Sequence, residues 1–136
     1  RRCLNLERIS MLKILHVDDE PDIRAVTRLA LESIGGFDVL SCSSGEEALT
    51  SVAAQAPDLI VMDVMMPGMD GPTTYRAFQK DPAAAGIPVI FMTAKTQKDE
   101  IGMLIELGAI GVIAKPFDPV QLSAEVQRIW DTRASG

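Results

Sequence analysis

Five short apolar runs recur along the chain: LKILHV at 12–17, FDVLSC at 37–42, DLIVM at 58–62, PVIFM at 88–92 and IGVIA at 110–114. Several are apolar almost throughout, the pattern of strands covered on both faces of a parallel sheet. Parallel neighbours need a crossover of a dozen or more residues between them, and each gap here is long enough to hold a helix. Strict strand–helix alternation of this kind implies an α/β, doubly wound, five-stranded parallel sheet. Among the doubly wound orders, the flavodoxin-like (βα)5 order 2-1-3-4-5 is expected.

The intervening segments carry helical spacing. In 21–34, Ile23, Val26, Leu29, Ala30 and Ile34 are expected on one face. In 44–55, Ser44 and Glu47 form a capping-box pattern ahead of Ala48, Leu49 and Val52. A weaker pattern covers 72–80. Ile101, Leu104 and Ile105 stripe 97–107, and Leu122, Val126, Ile129 and Trp130 stripe 118–131, with Trp130 expected to anchor the last helix. Gly35-Gly36, Pro57, Pro88 and Gly108 punctuate the joins. Met11 opens the first well-patterned segment, so residues 1–10 read as an upstream extension or a cloning remnant, 11–133 as one domain and 134–136 as a tail.

Composition then narrows the functional classes. A chain of 136 residues, 47% hydrophobic and 24% charged, is globular and long enough to bury a core. Its net charge of −6 argues against direct nucleic-acid binding through a broad basic face. Cys3 and Cys42 are too few and too far apart for a zinc site or a disulfide framework, which points to a reducing, cytoplasmic setting. No apolar run approaches the roughly 18 residues of a membrane span, and the opening RRCLNLERIS lacks a secretory apolar region.

The chemistry gathers at the strand ends. The first strand ends on Asp18-Asp19, the third on Asp63, the fourth on Thr93 and the fifth on Lys115. In a parallel sheet all carboxyl ends lie on one edge, where such sheets bind ligands. Three crowded carboxylates repel one another and favour a hard divalent cation, and Mg2+ suits a few carboxylates with room for phosphate oxygens. A carboxylate beside such an ion can attack phosphorus, while an ammonium and a hydroxyl bind the added charge. The set reads as phosphoryl transfer to Asp63. Taken singly, each element has a plainer reading: an acidic DDE suits a helix N-terminus, Thr93 a turn, Lys115 a solvated surface. Their joint order is what separates them from that reading. His16, inside the first strand, reads as a packed or hydrogen-bonded core histidine. The methionines at 62, 65, 66 and 69 read as gap fillers, since thioethers are poor Mg2+ ligands.

These pieces carry a resemblance. HVDDE at 16–20, LIVMDVMMPGMDG at 59–71, PVIFMTA at 88–94 and AKPF at 114–117 resemble, in order and spacing, the receiver domain of bacterial two-component response regulators, most like the stand-alone chemotaxis type, over roughly residues 11–131. The resemblance implies that Asp63 accepts phosphate from a sensor histidine kinase or a histidine phosphotransfer protein. It implies Mg2+, or Mn2+, at Asp18, Asp19, Asp63 and the backbone carbonyl of Met65. Thr93 would be a switch hydroxyl, Lys115 a bridge to the phosphoryl group, and the bond before Pro116 cis. A downstream protein would dock on helix 97–107, strand 110–114 and helix 118–131, with no membrane partner. The chain would not be an enzyme beyond assisting its own phosphotransfer and slow dephosphorylation.

Two positions set this chain apart. Where the family usually carries Tyr or Phe, three residues before the lysine, this chain has Val112, so the relay from Thr93 to the surface must differ. Met65 and Lys95 occupy the positions that influence attack by water on the phosphoryl group; an apolar Met65 is expected to slow it. Two other classes stand beside the leading reading. A phosphatase working through an aspartyl intermediate would typically carry an aspartate at the place of Met65. A receiver-like binding module independent of phosphate remains open because of Val112.

Overall fold

The computed structural model describes residues 12–135; the extension proposed for 1–10, and Cys3 within it, lie outside the described residues. Five strands alternate with five helices: β1 Lys13–Val17, α1 Pro21–Leu29, β2 Asp38–Cys42, α2 Gly45–Gln55, β3 Leu59–Asp63, α3 Gly71–Gln79, β4 Val89–Thr93, α4 Lys98–Leu107, β5 Gly111–Ala114 and α5 Pro119–Ser135. The strands form one parallel sheet in the order β2-β1-β3-β4-β5. Fold class and strand order are those expected from the apolar runs.

Alternation along each strand sends side chains to two cores. Leu15, Ile60, Met62, Val89 and Phe91 meet Ala48 and Val52 of α2, Tyr75 and Phe78 of α3 and Leu104 of α4. Ile14, Leu59, Val61, Ile90 and Met92 meet Ala30, Leu31 and, from α5, Leu122, Val126 and Ile129. β3 and β4 are buried along their whole length, which is why their sequence shows no polar alternation.

The first helix departs from the stripe read in the sequence. After Leu29 it loosens into a π-helical turn, Ala30–Ile34. Thr27, Ala30 and Leu31 face the core, whereas Val26 (43%), Leu29 (64%) and Ile34 (54%) are exposed. Ala30 is buried as expected, but the buried face centres on Thr27, Ala30 and Leu31 and is turned away from Val26 and Leu29. Ser123 Oγ donates to the Ala30 carbonyl at 3.1 Å, tying the π turn to α5. In α4 the expected stripe also thins: Leu104 is buried but Ile105 is exposed. At the C-terminus α5 runs past 131 to Ser135. Trp130 is half-buried against the second core, and the Arg133 guanidinium lies 3.5 Å from its ring centroid.

Two caps fix the loops that flank the site. Ser44 Oγ accepts from Glu47 N–H at 3.1 Å, and Glu47 Oε1 accepts from Ser43 N–H at 2.7 Å, one residue earlier than in the usual reciprocal box. Asp70 Oδ1 accepts from Thr73 N–H at 2.9 Å at the start of α3.

Candidate functional site

The carboxyl edge of the sheet is built by backbone pairing. Asp63 and Thr93 are the last residues of β3 and β4, still within the strands. Val64 N–H donates to Met92 O at 3.0 Å, and Lys115 N–H donates to Thr93 O at 2.9 Å, so the ends of β3, β4 and β5 are locked in step. Asp18 N–H donates to Cys42 O at 3.0 Å and extends β1 by one rung. The Lys115–Pro116 peptide bond is cis.

Three carboxylates converge there. Asp18, Asp19 and Asp63 each offer an oxygen, and the three oxygens lie within 4.8 Å of one another. Lys115 Nζ sits 3.3 Å from Asp63 Oδ2 and 3.4 Å from Asp18 Oδ2, with Glu20 Oε1 at 4.0 Å. Asp18 is fully buried, and its Oδ1 accepts from Glu20 N–H at 2.9 Å, which fixes the carboxylate plane. Asp63 is 5% exposed. Burial pushes its carboxyl up to about 6; Lys115 opposes that rise, while Asp18 and Asp19 reinforce it. For Lys115, burial alone would lower the ammonium, but Asp63 and Asp18 outweigh it and the net shift is upward.

One atom in this cluster lacks any partner. Asp19 Oδ1 is buried and accepts no hydrogen bond. An orphaned anionic oxygen beside two further carboxylates is costly in a protein alone. Hard oxygen donors of this number and charge fit Mg2+, which keeps several other positions for water or phosphate. The residues present therefore suit such an ion.

The remaining expected residues are placed as follows. Thr93 is buried, and its hydroxyl oxygen accepts from Lys95 N–H at 3.0 Å. Lys95 itself is exposed. Met65 is 61% exposed, in the loop after Asp63. Val112 is half-buried in β5, in register with Phe91. His16 is completely buried with neither ring nitrogen bonded, and burial, with help from Lys115 and Arg24, lowers it to about 3. It is a neutral core residue, packed but not hydrogen-bonded.

Two residues have roles at the site that the sequence did not show. Arg24 Nη1 donates to the Asp18 carbonyl at 2.8 Å and pins the loop that carries Asp18 and Asp19. Gly71 lies so close to β3 that an added Cβ would come within 2.6 Å of Asp63 O and 2.9 Å of Val64 Cα. An arginine one turn into a helix carries no distinguishing signal. In the sequence Gly71 reads only as a turn glycine.

The sequence matches the response regulator receiver domain family over residues 14–127. The chain belongs to that family. It is 36% identical over 115 residues to the DNA-binding response regulator MtrA of Mycolicibacterium smegmatis, covering 85% of this chain and 49% of that protein. It is 38% identical over 117 residues to the alkaline phosphatase synthesis transcriptional regulatory protein PhoP of Bacillus subtilis, covering 86% and 48%. This receiver thus spans about half the length of the curated relatives it matches. Among solved structures, the chemotaxis response regulator CheY4 of Vibrio cholerae superposes with a TM-score of 0.81 at 31% identity, covering 88% of this chain and 98% of that one.

Proposed function

We propose that this receiver accepts a phosphoryl group on Asp63 and signals through the altered surface of the phosphorylated domain. The observation that carries the reading is the setting of Asp63: nearly buried at a strand end, 3.3 Å from Lys115 Nζ and beside two more carboxylates. In the transfer, an Asp63 carboxylate oxygen forms a bond to phosphorus as the bond to the donor's leaving oxygen or nitrogen breaks, and the leaving group departs with that electron pair. Lys115 then binds an oxygen of the transferred group, and the Thr93 hydroxyl turns from Lys95 N–H toward it. Asp18, Asp19 and Asp63, with the Met65 carbonyl, would hold Mg2+ or Mn2+. When bound, that ion neutralises charge on the carboxylates and on the phosphoryl oxygens. At neutral pH the Asp63 carboxyl is already mostly ionised, as a nucleophile must be.

The phosphodonor is a sensor histidine kinase or a histidine phosphotransfer protein, and a cytoplasmic setting belongs to the same proposal. Among the described residues no helix is long and apolar enough to cross a membrane. Cys42 is a free, buried cysteine. The output face is α4, β5 and α5, where Met103, Ile105 and Val120 are exposed. The chain does not turn over small phosphate esters, because Met65 offers no acid–base group two residues after Asp63.

Intact-protein mass after incubation with acetyl phosphate and Mg2+ tests this. One phosphoryl adduct is expected, absent with chelator and in Asp63→Asn. A folded protein that takes no adduct would favour a binding module that works without phosphate.

A further inference from the structure

The start of α3 is welded to the acceptor strand. Gly71 N–H donates to Val64 O at 2.8 Å, and the space where its side chain would stand is filled by Asp63 O and, 3.0 Å from the would-be Cβ, by Phe91 Cε1. A shift of the Asp63–Val64 backbone therefore passes directly into the helix. Tyr75 stands one turn on, on the same face. Its ring packs against Phe91 with centroids 6.0 Å apart and planes tilted by 59°.

The far end of Tyr75 reaches α4. Its hydroxyl lies over Gly108, where any added Cβ would collide with it; Gly108 closes α4 with φ +131°. The residue is 8% exposed, with its ring between Phe91 and the Gly108 turn. The ring is seated by its packing on Phe91 and against Gly108, so a shift of either moves it. Phe91, which it rests on, precedes Thr93 by two residues on the same strand face and is in register with Val112. α4 is itself lightly held, with Leu104 its one buried residue. Asp63, Gly71, Phe91, Tyr75 and Gly108 thus form a contiguous packed path from the acceptor to the end of α4, and it bypasses Val112.

We propose that Tyr75 is the coupling residue of this receiver, reseating on Phe91 when the Asp63 end of β3 changes and thereby moving the Gly108 turn and α4. This deepens the phosphoryl-acceptor reading and rests on it. Spatial continuity alone does not establish coupling; a change of state at Tyr75 does.

The chain contains one tyrosine, so 3-fluorotyrosine gives a single 19F NMR resonance from Tyr75. Adding Mg2+ and beryllofluoride, a phosphoryl mimic, is expected to shift that resonance in the otherwise unaltered protein and not in Asp63→Asn. In 15N-labelled Tyr75→Leu, the amides of Asp63 and Lys115 should still respond while those of residues 98–108 no longer do; Tyr75→Phe, which keeps the ring, should restore the α4 response. The proposal is overturned if Asp63 and Lys115 respond but the fluorine resonance stays put, or if α4 responds in Tyr75→Leu as in the parent. If Asp63 and Lys115 do not respond at all, the phosphoryl reading fails and the coupling falls with it. Should Tyr75→Leu not fold, the fluorine measurement decides alone.

Discussion

Replacing Asp63 by Asn should stabilise the metal-free protein at neutral pH, and the gain should vanish in acid. The carboxyl rises from 3.8 in its ordinary setting to about 6 in the fold, chiefly through burial. Between these values the folded state holds a proton that the unfolded chain has released, so stability falls as pH rises through this window. The contribution is fully present below about pH 4 and lost above about pH 6. A shift of about two units at about 1.4 kcal/mol each makes the penalty on the order of 3 kcal/mol at pH 7.5. Asparagine is neutral and nearly isosteric, and removes that penalty; Lys115 keeps Asp18 at 3.4 Å as a partner. Allowing for relaxation, a gain of about 1–3 kcal/mol is expected in chelator. Urea denaturation of both proteins, followed by circular dichroism at pH 3.5, 5 and 7.5, measures it. His16 is common to both and cancels in the difference; its own contribution has the opposite sign, present above pH 6.5 and lost as pH falls toward about 3. Added Mg2+ should narrow the gap at pH 7.5 by stabilising the parent. Equal stabilities at pH 7.5, or a gap of the same size at pH 3.5, would refute the reasoning.

Three further substitutions have definite expectations. Ala56 closes α2 in the left-handed region at φ 46°, so Ala56→Gly should raise stability by about 0.5–1 kcal/mol in the same urea assay. Gly71→Ala would drive a Cβ against the backbone of Asp63 and Val64 and should cost about 2 kcal/mol or more, with weakened phosphorylation. Met65→Asn places a polar amide beside the acceptor, and loss of the phosphoryl adduct, followed by intact mass over time, should be faster than in the parent; an unchanged rate would remove Met65 from any role in adduct lifetime.

Much of the fold was legible because a parallel sheet buries both faces of its strands. LIVM and VIFM could hardly be anything but central strands, and once those are placed the carboxyl edge follows, with Asp18, Asp19, Asp63, Thr93 and Lys115 on it. What failed was helix facing. Counting apolar residues put Val26 and Leu29 inside, but Thr27 takes the core position and a π turn shifts the register after Leu29. A threonine methyl is invisible to such counting. The path from Asp63 to α4 was not legible either. It depends on where Tyr75 and Gly108 meet, 33 residues apart in sequence, a juxtaposition that only the folding of both segments onto the sheet creates. Val112 marks a departure from the residue usual in the family at that place, and gives no sign of what would take over its part.

The most direct test of the central claim is to find which residue carries the phosphoryl group. An acyl phosphate is reduced by borohydride to an alcohol, so a phosphorylated aspartate becomes homoserine and can be located by peptide mass spectrometry. After acetyl phosphate and Mg2+, homoserine at position 63 and at no other acidic residue is the predicted result. Homoserine at Asp18 or Asp19, or none anywhere in a folded, metal-loaded protein, would contradict the account.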